Sequence, residues 1–300
     1  MFAATDFTYD KAFARNIGLL TRREQSLLKN TCVGLPGLGG VGGVHLQALA
    51  RMGVGAFKLA DPDSFDLVNF NRQSGATMQT VGRCKTEVMT EAVRAINPEA
   101  EVTGYPAGIT PENIDSFLAG VDVVVDGIEF FCVDARRMLY AACRKRGIPV
   151  VNAGPIGYGA AVMVFMPGAM SFDDYFGITA VMTRAEQLLA FGLGLSPRLV
   201  SDIDPACVDI EAQKGPALAS ACFLCAGAAA TEVLKLVCGR GQPIVAPNGR
   251  YYDLYRGKTV RLRRRPALHG LAGRAIRWFS FRQFPAFKAM HDREIAARTS

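Results

Sequence analysis

Apolar and polar positions along this chain follow two periods in turn. Residues 31–60 hold two short apolar runs, CVGLP and GAFKLA, separated by a glycine cluster and a segment over about 41–52 whose spacing fits one face of a helix. The pattern predicts strand, glycine turn, helix, strand. A second helix is expected over 83–96. VDVVVD at 121–126 is a continuous apolar run suited to a strand buried on both faces. A helix over 133–146 then leads into another strand, IPVVNA at 148–153. Strands alternating with helices predict a parallel sheet covered on both faces.

From Gly154 the pattern changes. GYGAAVMVFMPG reads as a strand in an antiparallel addition, 217–238 as a helix and 243–263 as short strands. Residues 167–216 show no sustained period and carry Pro, Gly and Asp throughout, so a long irregular crossover is expected there. CVGLP is a poor strand for its class, because Pro36 has no N–H to give a ladder. The expected fold class is α/β, a Rossmann-like doubly wound and mostly parallel sheet with antiparallel C-terminal additions. One domain is expected over 1–265, followed by a tail over 266–300.

Composition refines this picture in three places. Half of the residues are hydrophobic and a fifth are charged, which suits a globular chain and excludes a disordered one. The most apolar segment, 217–238, is interrupted by Glu232 and Lys235, so it reads as a core helix and not as a membrane span of ~20 apolar residues. MFAATDFTYDKAF lacks the basic and apolar regions of a secretory signal, and a cytoplasmic location is expected. The net charge of +7 is a property of the C-terminus: residues 250–300 carry 13 Lys and Arg against 3 Asp and Glu, leaving 21 against 24 before them.

The chemistry concentrates at 37–85. GLGGVG between an apolar run and a helix sets backbone N–H groups and a helix N-terminus where phosphates can sit, through Gly37, Gly39, Gly40 and Gly42. Asp61, at the end of the next strand, suits a ribose hydroxyl. These features alone serve NAD, FAD or ATP equally. The stretch DPDSFDLVNFNRQ at 61–73 separates the options. Hydride transfer has no use for a cationic cluster beyond the ribose aspartate, whereas Arg72 and Lys85, with the neutral Asn69, Asn71 and Gln73, suit a triphosphate attacked at its α-phosphorus, and Asp63 is a further nucleotide-binding candidate.

GxGGxG, DxDxxxxxNxNRQ and the following GxxK resemble the ubiquitin-activating/ThiF/MoeB superfamily of adenylyltransferases, over roughly residues 10–165 and again at ATEVLKL, 230–236. The resemblance implies ATP with magnesium as the nucleotide, and a carboxylate as the group that is adenylylated. That carboxylate is the C-terminal Gly of a ubiquitin-fold sulfur carrier, a peptide, or a small acid. It implies that Asp61 holds the ribose while Asn69, Arg72 and Lys85 contact the phosphates. FARNIGLL resembles the family's N-terminal element, so Arg15 would reach into a neighbouring subunit's site in a homodimer. Where the family usually has a magnesium-binding aspartate this chain has Glu129, still a hard oxygen ligand, with Asp126 as the second candidate.

Other candidates are weaker. Many relatives bind zinc through two CxxC pairs, but this chain has one, Cys222 and Cys225, so a structural zinc is not expected. Cys207, the cysteine of the irregular segment, is the candidate nucleophile for a thioester. Adenylylation needs no general base, since a carboxylate is already ionised near pH 7, and His45 is expected to pack or meet solvent. Tyr158, Phe172 and Tyr175 are expected to line an acceptor channel. The tail interleaves cations with aromatics over 274–290, a pattern for RNA or an anionic membrane as well as for packing over its own domain, and Pro285 interrupts any helix. On a helical wheel Ile276 and Phe279 share a side while Phe281 falls away. The alternative functions are a tRNA threonylcarbamoyladenosine dehydratase of the same superfamily, an NAD(P)- or FAD-binding oxidoreductase, and a non-catalytic nucleotide-binding subunit.

Overall fold

The structure is a computed structural model that describes residues 7–198, 202–263, 268 and 270–299. Arg264, Arg265 and Pro266 of the basic run, and with them the expected boundary at 265/266, lie outside the described residues. Eight strands form one sheet: β1 (Cys32–Pro36), β2 (Ala56–Ala60), β3 (Glu101–Tyr105), β4 (Val123–Asp126), β5 (Val150–Ile156), β6 (Gly159–Phe165), β7 (Asn248–Asp253) and β8 (Lys258–Arg263). Their order is β3-β2-β1-β4-β5-β6-β7-β8. The first five pair in parallel and the last three antiparallel, as the change of pattern at Gly154 predicts.

The helices are α1 (Tyr9–Ala12), α2 (Arg22–Lys29), α3 (Gly40–Arg51), α4 (Lys85–Ile96), α5 (Ile114–Leu118), α6 (Val133–Arg146), α7 (Phe172–Phe176), α8 (Arg184–Leu195), α9 (Ala219–Cys238), α10 (Leu271–Gln283) and α11 (Pro285–Thr299). One core, holding Leu35, Leu46, Phe57, Val125 and Val233, lies on the face covered by α3, α4 and α9. The other holds Val124, Leu139, Phe165, Phe172 and Tyr175 on the opposite face. α9 is long and apolar enough to cross a membrane by composition. It instead packs on α3, β5 and β6, and its buried Glu232 is met by Lys235 and by the Ile244 N–H.

Three expectations are corrected. CVGLP is a regular central strand: Pro36 is its last residue, where the missing N–H costs little, and its carbonyl accepts from Gly127 N at 3.0 Å. Residues 167–216 are not irregular throughout, since they contain α7 and α8. Phe172 and Tyr175 do not line a channel; they are 3% and 1% exposed within the aromatic core around Phe165, which Tyr175 meets edge-on and Phe172 at a tilt.

The tail packs over its own chain. α11 and α10 lie on α8, Phe281 is buried, and Trp278 is exposed beneath the Arg282 guanidinium, which sits 5.1 Å from its ring. The side of α10 shared by Ile276 and Phe279 is not the buried one: Phe279 is exposed and Phe281 is the buried ring. Pro285 breaks the tail as expected: it ends α10 and begins α11, at the helix position where a proline's missing N–H is harmless.

Candidate functional site

β2 and β3 lie on one side of β1, and β4 and β5 on the other, so the order in which strands are added reverses between the parallel β1 and β4. Such a switch point leaves a crevice at the C-terminal strand ends. The turn after β1 and the turn after β4 meet there: a Cβ on Gly37, whose φ is +82°, would fall 2.1 Å from the Gly127 carbonyl oxygen. α3 closes onto the same turn, and a Cβ on Gly42 would fall 1.7 Å from the Gly37 carbonyl oxygen. Gly42 therefore serves packing, while Gly37, Gly39 and Gly40 line a cleft of about 700 Å³.

Asp61 is fixed at the end of β2. Its carboxylate accepts from Leu38 N at 2.6 Å and from Asp63 N at 2.9 Å, tying the ribose candidate to the glycine turn. Burial pushes its carboxyl above the ordinary aspartate value, against the Lys85 ammonium and the two amides, which pull it down. Lys85, at the start of α4, is 4% exposed and lies 2.9 Å from Asp63 and 3.9 Å from Asp61. Two carboxylates thus hold one ammonium against the cleft.

The polar stretch divides into two groups. Asn69, Arg72 and Gln73 line the cleft, and the Gln73 Oε1 has no hydrogen-bond partner among the described residues. Arg72 is steadied by the Val68 carbonyl at 3.0 Å and by Asn71 Oδ1 at 2.9 Å. Asn71 is not on the cleft wall; its Nδ2 donates to the Ala217 carbonyl and so anchors the segment that enters α9. Arg15 is exposed on the turn before α2 and lies outside its own chain's cleft.

Asp126 and Glu129 play different parts. Asp126 is buried and accepts from Arg136 Nε at 2.8 Å, Tyr140 OH at 2.8 Å and Asn152 Nδ2 at 3.0 Å, all at one oxygen. Its other oxygen accepts from Ile128 N at 3.0 Å. Those bonds occupy most of the lone pairs of the carboxylate and make Asp126 a poorer metal ligand than Glu129. Glu129 is exposed at the cleft, and among the described residues it is the cleft carboxylate without an ion-pair partner. The donor set fits one hard cation held by Glu129 together with phosphate oxygens and water.

Sequence reasoning missed Arg136. It is 3% exposed, bonds the Ile128 and Glu129 carbonyls as well as Asp126, and places its guanidinium 4.5 Å from the centre of the Phe191 ring. The signal was present: Val133, Arg136, Leu139, Tyr140 and Cys143 are the buried stripe of α6, so one arginine stands in an apolar face. Tyr140 in that network has its hydroxyl pushed well above the ordinary value by burial, with Asp126 adding to the effect.

Of the remaining candidates, Cys222 also lines the cleft. Cys207 is exposed, with its Sγ 3.9 Å from Asp204, and is not on the cleft wall. Tyr158 stacks on Tyr255 at 4.5 Å, also away from the cleft. Cys222 and Cys225 are buried in α9, and burial pushes the Cys222 thiol up to about 11. His45 is buried and meets the Ala153 carbonyl at 3.3 Å. Lys214, on the loop before α9, lines the cleft beside Gln213, which holds a φ of +53°.

The model of the ThiF family matches residues 13–270. The chain belongs to the ThiF family. The tRNA threonylcarbamoyladenosine dehydratase of Bacillus subtilis is 37% identical over 142 residues, covering 47% of this chain and 55% of that protein. The sulfur carrier protein ThiS adenylyltransferase of Escherichia coli is 33% identical over 146 residues, covering 48% and 56%. The chain spans about half the length of the curated relatives it matches. Among solved structures, the ATP complex of the E. coli tRNA N6-threonylcarbamoyladenosine dehydratase is similar with a TM-score of 0.58 at 27% identity, over 77% of this chain and 95% of that one.

Proposed function

We propose that this ThiF-family chain is an ATP-dependent adenylyltransferase that activates a carboxylate as an acyl-adenylate. The observation that carries the reading is the convergence of the glycine turn, Asp61, Arg72, Lys85 and Glu129 on one cleft at the switch point of the sheet. A carboxylate oxygen bonds to the α-phosphorus of ATP as the bond from that phosphorus to the bridging oxygen breaks. Pyrophosphate leaves with the electron pair, and no proton moves.

The chain's task is then alignment and charge neutralisation. The carboxylate of Asp61, already oriented by the Leu38 and Asp63 amides, accepts from ribose hydroxyls. Lys85 and Arg72 face the phosphates, with Asn69 and Gln73 as neutral donors. Glu129 would hold magnesium, which supplies charge neutralisation on the phosphates when bound. Arg136 fixes the loop that carries Glu129. A homodimer in which Arg15 completes the partner's site belongs to the same reading, supported by the exposure of Arg15 on a turn anchored by Asn16, which donates to Gln25 at 2.9 Å.

The test is ATP–pyrophosphate exchange with magnesium over a panel of carboxylates. Exchange that depends on an added carboxylate is the expected result, and thermal stabilisation by NAD but not by ATP would overturn the reading. A second reading, cyclisation of the threonylcarbamoyl carboxylate on a tRNA adenosine, is favoured by the higher identity to the dehydratase than to the adenylyltransferase. It uses the same nucleotide half and predicts salt-sensitive tRNA binding.

A further inference from the structure

The residues assigned to adenylylation occupy one part of the cleft and leave the rest without a role. Much of that rest is apolar, with Arg198 and Lys214 as its charged members. Phe130 from the loop after β4, Leu188, Leu189 and Phe191 from α8, and Phe284 and Phe287 from the tail share its wall. The tail is thus part of the cleft.

The tail is fastened there by several polar contacts. Arg277 pairs with the buried Glu186 carboxylate, and His291 Nδ1 lies 2.9 Å from Thr183 Oγ1. Glu294 accepts from Arg184 N at 2.7 Å, and Arg298 donates to the Val181 and Met182 carbonyls at 2.8 and 3.1 Å. Arg293 pairs with Glu211, and Lys288 with Asp292. Cations read in the sequence as a nucleic-acid or membrane signal are here engaged with the chain itself.

Within this wall Ser280 is 2% exposed, and its Oγ has no hydrogen-bond partner among the described residues. A buried hydroxyl left unpaired is costly, and a polar group arriving with a ligand would satisfy it. The cleft wall carries both cations, Arg72, Lys85 and Lys214, and aromatic rings, and so matches a ligand with an anionic head and an apolar body. Phe191 and Phe287 are buried while Phe130 and Phe284 are half-buried, and the C-terminal glycines of a carrier protein bring no side chain to pack on the two rings that keep exposure. A cleft of about 700 Å³, shared with a nucleotide, is within the usual size range of small-molecule sites.

The geometry points to a small carboxylic acid with an aromatic or branched aliphatic body as the acceptor, with α10 and α11 as its specificity wall and Ser280 as the partner of one hydroxyl or carbonyl group on it. This inference rests on the adenylylation reading and names its substrate class.

The test uses the full chain with ATP and magnesium. ATP binding is measured first by thermal shift. Pyrophosphate exchange is then run with 3-phenylpropanoate, 3-(4-hydroxyphenyl)propanoate, 4-methylpentanoate and an octapeptide ending in Gly-Gly. The apolar acids should support exchange and the peptide should not. Phe284→Ala should raise KM for the phenyl acids about tenfold with ATP affinity within about twofold of wild type, and Ser280→Ala should erase any preference for the hydroxylated acid. Phe284→Leu, a smaller change at the same wall, should shift KM in the same direction if the alanine variant does not fold. Failure to bind ATP would sink the adenylylation reading and this inference with it. ATP binding with exchange from the Gly-Gly peptide alone, or from none of the acids, would overturn the substrate class and leave adenylylation standing. So would a KM that ignores both substitutions at Phe284.

Discussion

Arg136 Nε lies 2.8 Å from Asp126 Oδ2, and the two side chains keep only 4% and 1% of their exposure. This pair links the end of β4 to α6 and, through two backbone carbonyls, holds the loop that presents Glu129. Removing one partner of a buried pair leaves the other charge uncompensated, which costs about 3–5 kcal/mol. Arg136→Leu is therefore expected to lose stability of that order in urea denaturation. Adding Asp126→Asn removes the orphaned charge and should recover part of the loss. If the single variant unfolds at the wild-type midpoint, the pair is not a structural pin of the site.

The glycines of the turn should separate by role. Gly42→Ala places a Cβ on the Gly37 carbonyl, where nothing flexible can yield, and should destabilise the protein by more than about 2 kcal/mol. Gly39 has a φ of −73°, and the nearest atom to an added Cβ is on the Gln73 side chain at 3.7 Å. Gly39→Ala should fold with an unchanged melting curve. A drop in ATP affinity of about tenfold would then report a phosphate against the turn. A folded Gly39→Ala protein with full ATP affinity would move the phosphates away from this turn.

Glu129 tests the magnesium assignment without a folding confound. It is exposed, has no ion-pair partner among the described residues, and accepts a local bond from Phe130 N at 2.9 Å. Glu129→Gln should leave the unliganded stability within about 0.5 kcal/mol of wild type, as surface changes do. Exchange activity should fall by about a hundredfold, and the stabilisation by ATP should lose its dependence on magnesium. Equal exchange rates in the two proteins would assign the metal to other groups.

The parts of this molecule that were legible in sequence are those whose signals are local. Continuous apolar runs such as VVVD and the turn glycines announce a buried parallel strand and a close backbone approach, whatever surrounds them. α8 was not legible, for a physical reason: ten of its twelve residues are buried. A helix covered nearly all round shows no amphipathic period. Gly192 and Gly194 lower its propensity further, yet a Cβ at Gly194 would strike the Phe176 ring at 2.3 Å, so the glycine is a packing requirement. Arg136 and the division between Asp126 and Glu129 depend on β4, β5 and α6 meeting in space. No spacing along the chain reveals that Asn152 and Tyr140 converge on the same carboxylate oxygen.

His45 gives a pH signature that is independent of any ligand. It sits on α3 with no exposure, its Nδ1 has no hydrogen-bond partner among the described residues, and burial lowers its pKa from 6.5 to about 4. Above pH 6.5 the imidazole is neutral in both folded and unfolded chains and contributes no pH dependence. Between 6.5 and 4 the unfolded chain binds a proton that the folded one refuses, so stability falls as pH falls through this window, by up to about 3 kcal/mol. His45→Gln removes the titration, and Gln Nε2 can still donate to the Ala153 carbonyl. The variant should therefore show a flatter stability profile than wild type between pH 6.5 and 4, read by urea midpoints at half-unit steps. Parallel profiles for the two proteins would mean that His45 is protonated inside the fold, or that other groups carry the acid sensitivity.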